Sequence, residues 1–240
     1  MNKETNHREC KQPLAKVLKN EAISGEEIAN AATHGFGILL GVTAGIWLLQ
    51  KAFCYGDGWA VSSVSIYIVC MLFSYITSTL YHAGRAGKRK ATLRKFDHVA
   101  IYFHIAGTYT FFTLTILRNA AFWGWALFGV AWLAAFAGSY ISFKGKGMGN
   151  RIETICYVAM GLVVCVAFKP LFDTLHLLQE LHVLWYIIAG GISYIVGALL
   201  YSFKKIPYIH SVFHLFVLGG SFFHILAIAF TLELARGGYL

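Results

Sequence analysis

The sequence predicts an all-α fold, a polytopic membrane protein built as a bundle of seven transmembrane helices, with the N-terminus cytoplasmic and the C-terminus outside. Three observations predict it: an apolar composition, seven apolar stretches of membrane-spanning length, and basic residues confined almost entirely to one side of those stretches. With 58% hydrophobic and only 13% charged residues among 240, the chain lacks the polar surface that a soluble domain of this size requires. Helices satisfy their own backbone hydrogen bonds, so a helical bundle is one of two architectures that lipid tolerates.

The stretches fall near 33–50, 60–82, 97–117, 120–142, 152–170, 183–203 and 209–231, each close to the ~20 residues that cross a ~30 Å hydrocarbon core. They define one transmembrane domain, 33–231. Residues 1–32 form a cytoplasmic N-terminal segment and 232–240 a short outer tail. Within the segment, residues 13–24 place Leu14, Val17, Leu18 and Ile23 among lysines. That spacing suits a short helix on the inner leaflet as well as it suits a solvated linker. Residues 1–30 are polar and charged, so the first span is expected to be retained and not cleaved as a signal.

The net charge of +9 reads as a topology signal. Sixteen basic residues lie before the first span and in the second–third, fourth–fifth and sixth–seventh connections, against Lys51, Arg118, Lys169 and Arg236 opposite. The positive-inside rule makes the rich side cytoplasmic. Basic clusters beside a membrane touch anionic headgroups, so no nucleic-acid partner is expected. The five cysteines, Cys10, Cys54, Cys70, Cys156 and Cys165, show no CxxC spacing and read as small apolar residues.

Ionisable groups inside a bilayer are costly, so their positions are informative. They gather at the cytoplasmic ends of the first, second, third and seventh spans. The seventh opens HSVFH, placing His210 and His214 one turn apart on one face, a spacing that suits either a metal ligand pair or two histidines packed against their neighbours. The second ends SYITSTLYH, with His82 at the rim and Ser78 one turn deeper. His82 thus offers a candidate third ligand at matching depth. Three histidines would leave one position open on a tetrahedral zinc, as catalytic sites do.

Asp97 follows the predicted start of the third span, where the helix dipole favours a carboxylate, and is placed to orient water at the metal. Glu27, Asn30 and His34 share one face of the first span; they are expected behind the ligands, with Asn30 and Thr33 in a capping and packing network. His104 and His224 lie too deep to share that metal and are expected to line the interior. His98 points away from Asp97, and His7, His176 and His182 are expected in the tail or an outer loop, without chemistry. Trp59, Trp123, Trp125 and Trp185 mark the outer boundary. Gly190, Gly191, Gly197, Gly219 and Gly220 are expected to allow close helix contact.

Together EEIANAATHG, STLYH, KFDHVAIYFHIAGTYT and KKIPYIHSVFHLFVLGGSFFHILAI resemble the hemolysin III family, the bacterial branch of the progestin and adiponectin receptor family, over residues 26–231. The resemblance implies a Zn2+ cofactor on His82, His210 and His214, an aspartate at Asp97 that holds a water at the zinc, and a serine at Ser78. It departs at GTYTFF, where Phe111 replaces a proline that would open the backbone. It also implies residence in the cell (cytoplasmic) membrane and membrane-lipid partners, a fatty acid or ceramide-like lipid in the bundle among them. The implied function is regulation of membrane lipid or energy homeostasis. The fold leaves the enzyme question open: zinc-dependent amide hydrolysis by an intramembrane site, with Asp97 and Ser78 catalytic, stands beside a zinc-structured sensor without catalysis and a cytolysin or channel.

Overall fold

The computed structural model describes residues 23–144, 150–203 and 205–236. Residues 13–22 of the expected amphipathic stretch, and the basic residues of the N-terminal tail, lie outside them. Among the described residues the regular structure is helical throughout: α1 (Gly25–Tyr55), α2 (Gly58–Ala83), α3 (Lys88–Leu114), α4 (Trp123–Lys144), α5 (Asn150–Leu162), a 3-10 turn (Val163–Ala167), α6 (Phe168–Leu177), α7 (Leu181–Tyr201) and α8 (Ile209–Arg236). α5, the 3-10 turn and α6 together make the fifth span. Sequential neighbours pack side by side, and α8 closes the ring against α1.

The first helix starts eight residues before the apolar stretch. Ser24 accepts a hydrogen bond from the Glu27 amide at 3.2 Å, and a side-chain cap with acidic residues in the first turn stabilises the end where backbone N–H groups are unpaired. α3 likewise starts at Lys88, nine residues before Asp97. Asp97 is therefore more than two turns inside its helix, beyond the reach of the terminal dipole, and the dipole argument for that carboxylate fails.

Six of the spans are long and apolar enough to cross a membrane by composition; α3 is the exception. Its C-terminal half explains this: every residue from Ala106 to Leu114 is buried, so its threonines and tyrosines face protein instead of lipid. Threonine hydroxyls bond back to their own helix, as Thr110 does to Ala106 O at 2.8 Å, and Trp132 Nε1 donates to Thr110 Oγ1 at 2.9 Å. Phe111 is fully buried within an unbroken helix, so the backbone opening that a proline would bring is absent.

The break falls in the fifth span instead. Pro170 lacks an amide hydrogen and crowds the carbonyl four residues earlier, and the 3-10 turn lies directly ahead of it. Freed backbone groups in lipid need partners. Tyr109 supplies them: its hydroxyl accepts from Val164 N at 2.8 Å and donates toward the carbonyls of Gly161 at 2.9 Å and Met160 at 3.1 Å. His176 and His182, expected in a loop, belong to the last turn of α6 and the first turn of α7.

Close approach explains most of the glycines in α7 and α8. A Cβ at Gly190 would lie 2.5 Å from His224 Cδ2, at Gly220 2.6 Å from Tyr194 Cε1, at Gly197 2.8 Å from Phe216 Cβ, and at Gly219 3.0 Å from Ser193 Oγ. Gly191 faces open space and needs another account. At the predicted outer end, Asp57 caps α2 through Ala60 N at 2.9 Å and takes Arg118 Nη1 at 2.6 Å, while Trp59 meets Trp125 edge-on at 5.4 Å.

Candidate metal centre

At the opposite end, two helices bring three histidines together. His82 occupies the last turn of α2, where it ends at Gly84. His210 and His214 occupy the first turns of α8, launched by Tyr208 in the left-handed region at φ 59°, a conformation that costs a non-glycine residue about 1–2 kcal/mol. Each histidine offers a ring nitrogen within 4.8 Å of the others. Nitrogens on one tetrahedral zinc at about 2.0–2.1 Å are about 3.4 Å apart, so small side-chain rotations close the set.

The surrounding hydrogen bonds fix which nitrogen each buried ring presents. His82, 1% exposed, sets Nδ1 3.1 Å from Glu27 Oε2. A carboxylate only accepts, so Nδ1 carries the proton and the lone pair is on Nε2. His82 Nε2 is buried and has no partner, which in a closed interior costs about 1–3 kcal/mol. A metal ion removes that cost. His214, also 1% exposed, places Nδ1 3.2 Å from the Asn30 carbonyl and 3.0 Å from Thr33 Oγ1. The Thr33 hydroxyl donates to Ala29 O and Asn30 O at 3.0 and 2.9 Å, so both groups accept from His214 and its lone pair is likewise on Nε2. Orienting partners of this kind behind each ligand are characteristic of metal-binding histidines.

The residues expected behind the ligands are all in contact with them. Asn30 additionally accepts from Ser211 Oγ through Oδ1 at 2.6 Å, and His34 stacks on His214 with ring centres 3.5 Å apart. Asp97 is half-buried and approaches Ser78, whose buried hydroxyl remains without a hydrogen-bond partner. Asp97 stands outside the three-histidine group. The geometry fits three imidazole ligands.

Several contributors were not legible as such. Lys90, one of the basic residues of the second–third connection, sets its Nζ 2.7 Å from Glu27 Oε2, a reach that depends on α3 starting at Lys88. His98, set aside in the sequence, pairs through Nδ1 with Glu153 Oε2, and Ser142 donates to Glu153 Oε1 at 3.1 Å. Glu153 is only 3% exposed, so this pair ties α3 to α5 where an unpaired carboxylate would be costly.

Comparison with known proteins decides the lineage. Residues 24–225 match the profile of the family described as Haemolysin-III related. The chain belongs to that family. Among its relatives, "Hemolysin-3" of Bacillus cereus is 40% identical over 196 residues, covering 82% of this chain and 87% of the relative. The "Hemolysin-3 homolog" of Bacillus subtilis (strain 168) is also 40% identical, covering 82% and 89%. "Monocyte to macrophage differentiation factor" of Homo sapiens is 28% identical over 213 residues, covering 85% and 83%, which carries the relation to the receptor-type branch. For this haemolysin III-related chain the matched region contains the three histidines and every residue behind them.

Glu27 is predicted to tune affinity. Glu27→Ala should weaken metal binding at the three histidines about 10- to 100-fold by releasing the His82 tautomer, whereas Glu27→Gln, which keeps a carbonyl acceptor, should lose less. Competition with a chromogenic chelator measures both. Equal affinities for wild type and Glu27→Ala would refute the role.

Proposed function

We propose that this multi-pass protein of the cell membrane holds zinc on His82, His210 and His214, and regulates membrane lipid homeostasis by hydrolysing a lipid amide at that site. The observation that carries the reading is the fixed tautomers of His82 and His214, whose Nδ1 atoms donate to Glu27 and to Asn30 and Thr33 and leave two lone pairs for one ion. Zinc there would act as a Lewis acid and make water acidic enough to attack near neutral pH. Asp97 would orient the attacking water and accept its proton. Ser78, with a hydroxyl not otherwise engaged, would donate to the oxygen that gains charge at the carbonyl. The C–N bond breaks, the proton passes to the amine, and a fatty acid and an amine result.

The lipid-exposed surface supports access from the bilayer, since Phe36 and Leu39 on α1 and Ile76 and Leu80 on α2 are exposed beside the site-bearing turns. A second reading draws on the same hydrogen bonds: Glu27 and Asn30 tie α1 to α2 and α8 through the histidines, as a purely structural zinc in a sensor would. One assay separates the two. Lipid extracts are incubated with zinc-loaded and with chelator-stripped protein, and released fatty acid is measured. Release by the loaded protein alone is expected. Identical lipids from both incubations would leave the sensor and sink the hydrolase.

A further inference from the structure

Deeper in the bundle, a second set of polar side chains is buried that the metal reading does not employ. It comprises Tyr67 and Tyr75 on α2, His104 on α3, Tyr194 on α7, and Ser221 and His224 on α8. The Ser221 oxygen gathers three neighbours: Tyr75 OH donates to it at 2.6 Å, Tyr194 OH lies 2.9 Å away, and His104 Nε2 stands at 3.5 Å. His224 Nε2 donates to the Ile187 carbonyl at 3.3 Å, which leaves Nδ1 as an acceptor.

That acceptor has no donor. His224 Nδ1 and Tyr67 OH are buried without partners, and so, nearer the triad, are both ring nitrogens of His34. Tyr67 is 0%, His34 4% and His224 6% exposed. The side chains form a continuous row leading inward from the triad. His34 stacks on His214 and has its ring centre 5.2 Å from Tyr75; Tyr75 is 5.7 Å from His104; His104 is 6.4 Å from Tyr67 and 6.2 Å from Tyr194; Tyr194 is 5.5 Å from His224.

Three features define what pairs with these atoms. The occupant both donates and accepts, because His34 needs one of each and His224 Nδ1 needs a donor. It is neutral, because the row contains no carboxylate, lysine or arginine to compensate a buried charge. It is small, because neighbouring rings along the row stand with their centres only 5.2, 5.7, 6.4, 6.2 and 5.5 Å apart, and a run of methylenes does not fit between them. Water has all three properties, and buried water typically bridges polar groups left unpaired by protein.

We propose that the bundle encloses a file of ordered water from His34 to His224, and that this file supplies water to the histidine triad from inside the bundle. The file rests on the orphaned atoms, and only its delivery role rests on the metal reading. X-ray hydroxyl-radical labelling of the intact protein in nanodiscs, zinc-loaded and chelated, tests it. Tyr67 and His224 should label severalfold faster than Phe111, which is equally inaccessible to bulk solvent, and should do so in both states. Labelling of all three at one slow rate would overturn the file. Protein that takes up no zinc but still labels at Tyr67 and His224 would remove the metal reading and leave the file standing. Tyr67→Phe provides a second sign: deleting a hydroxyl from a dry site raises Tm, whereas deleting one that binds water lowers it. The expected result is a lower Tm; an unchanged or higher Tm, or a stoichiometric lipid in native mass spectra whose removal restores labelling, overturns the proposal.

Discussion

Asp97→Asn should retain zinc at the wild-type level and lose turnover about 10²- to 10⁴-fold, the range of a positioned general base. The prediction follows from Asp97 standing outside the three-histidine group while approaching Ser78. Asparagine preserves shape and can accept a hydrogen bond, but it cannot take a proton at neutral pH. Metal content and fatty-acid release are to be measured on the same preparation. Zinc loss together with activity would make Asp97 a ligand-shell residue, and retained turnover would remove it from the chemistry. Ser78→Ala should give a smaller loss, since a hydroxyl donor to a developing oxyanion is one of several contributions.

His214→Ala should have the largest effect on the protein itself, abolishing zinc in the purified chain and lowering Tm. His214 is the hub of the centre: it meets His210 and His82 at ring distances of 4.6 and 5.3 Å, stacks on His34, and donates to Asn30 and Thr33 on α1. A ligand present at 1,000 times its Kd stabilises by about 4 kcal/mol, which for a chain of this size corresponds to a Tm shift on the order of 10 °C. Chelation of wild-type protein should reproduce the shift, and chelation of His214→Ala should produce none. A thermal profile of wild type that ignores chelation would contradict the zinc reading.

How far the sequence carried can be traced residue by residue. The HSVFH spacing sets His210 and His214 on one face because helix geometry fixes where side chains four apart project. The i, i+3, i+7 row of Glu27, Asn30 and His34 follows from the same periodicity, and the structure brings all three to the histidines. Depth matching of His82 required only span lengths and the asymmetry of charge. The dipole argument for Asp97 fails because the sequence hides where α3 begins: residues 88–96 are too polar to register as a span, yet they extend the same helix and deliver Lys90 to Glu27.

What the sequence determined by itself was therefore local and periodic: a membrane bundle, the family, and which histidines share a helix face or a depth. Tertiary structure decided what depends on neighbours from distant parts of the chain. It selected the Nδ1 tautomers through Glu27, Asn30 and Thr33, moved the backbone break to the fifth span and filled it with Tyr109, and paired His98 with Glu153. It also left Tyr67, His34 and His224 with buried atoms that no side chain reaches. Periodicity records the direction in which a residue projects from its own helix; the partner it meets there is set by how helices pack, and hydrogen bonds depend on that meeting to within a few tenths of an ångström.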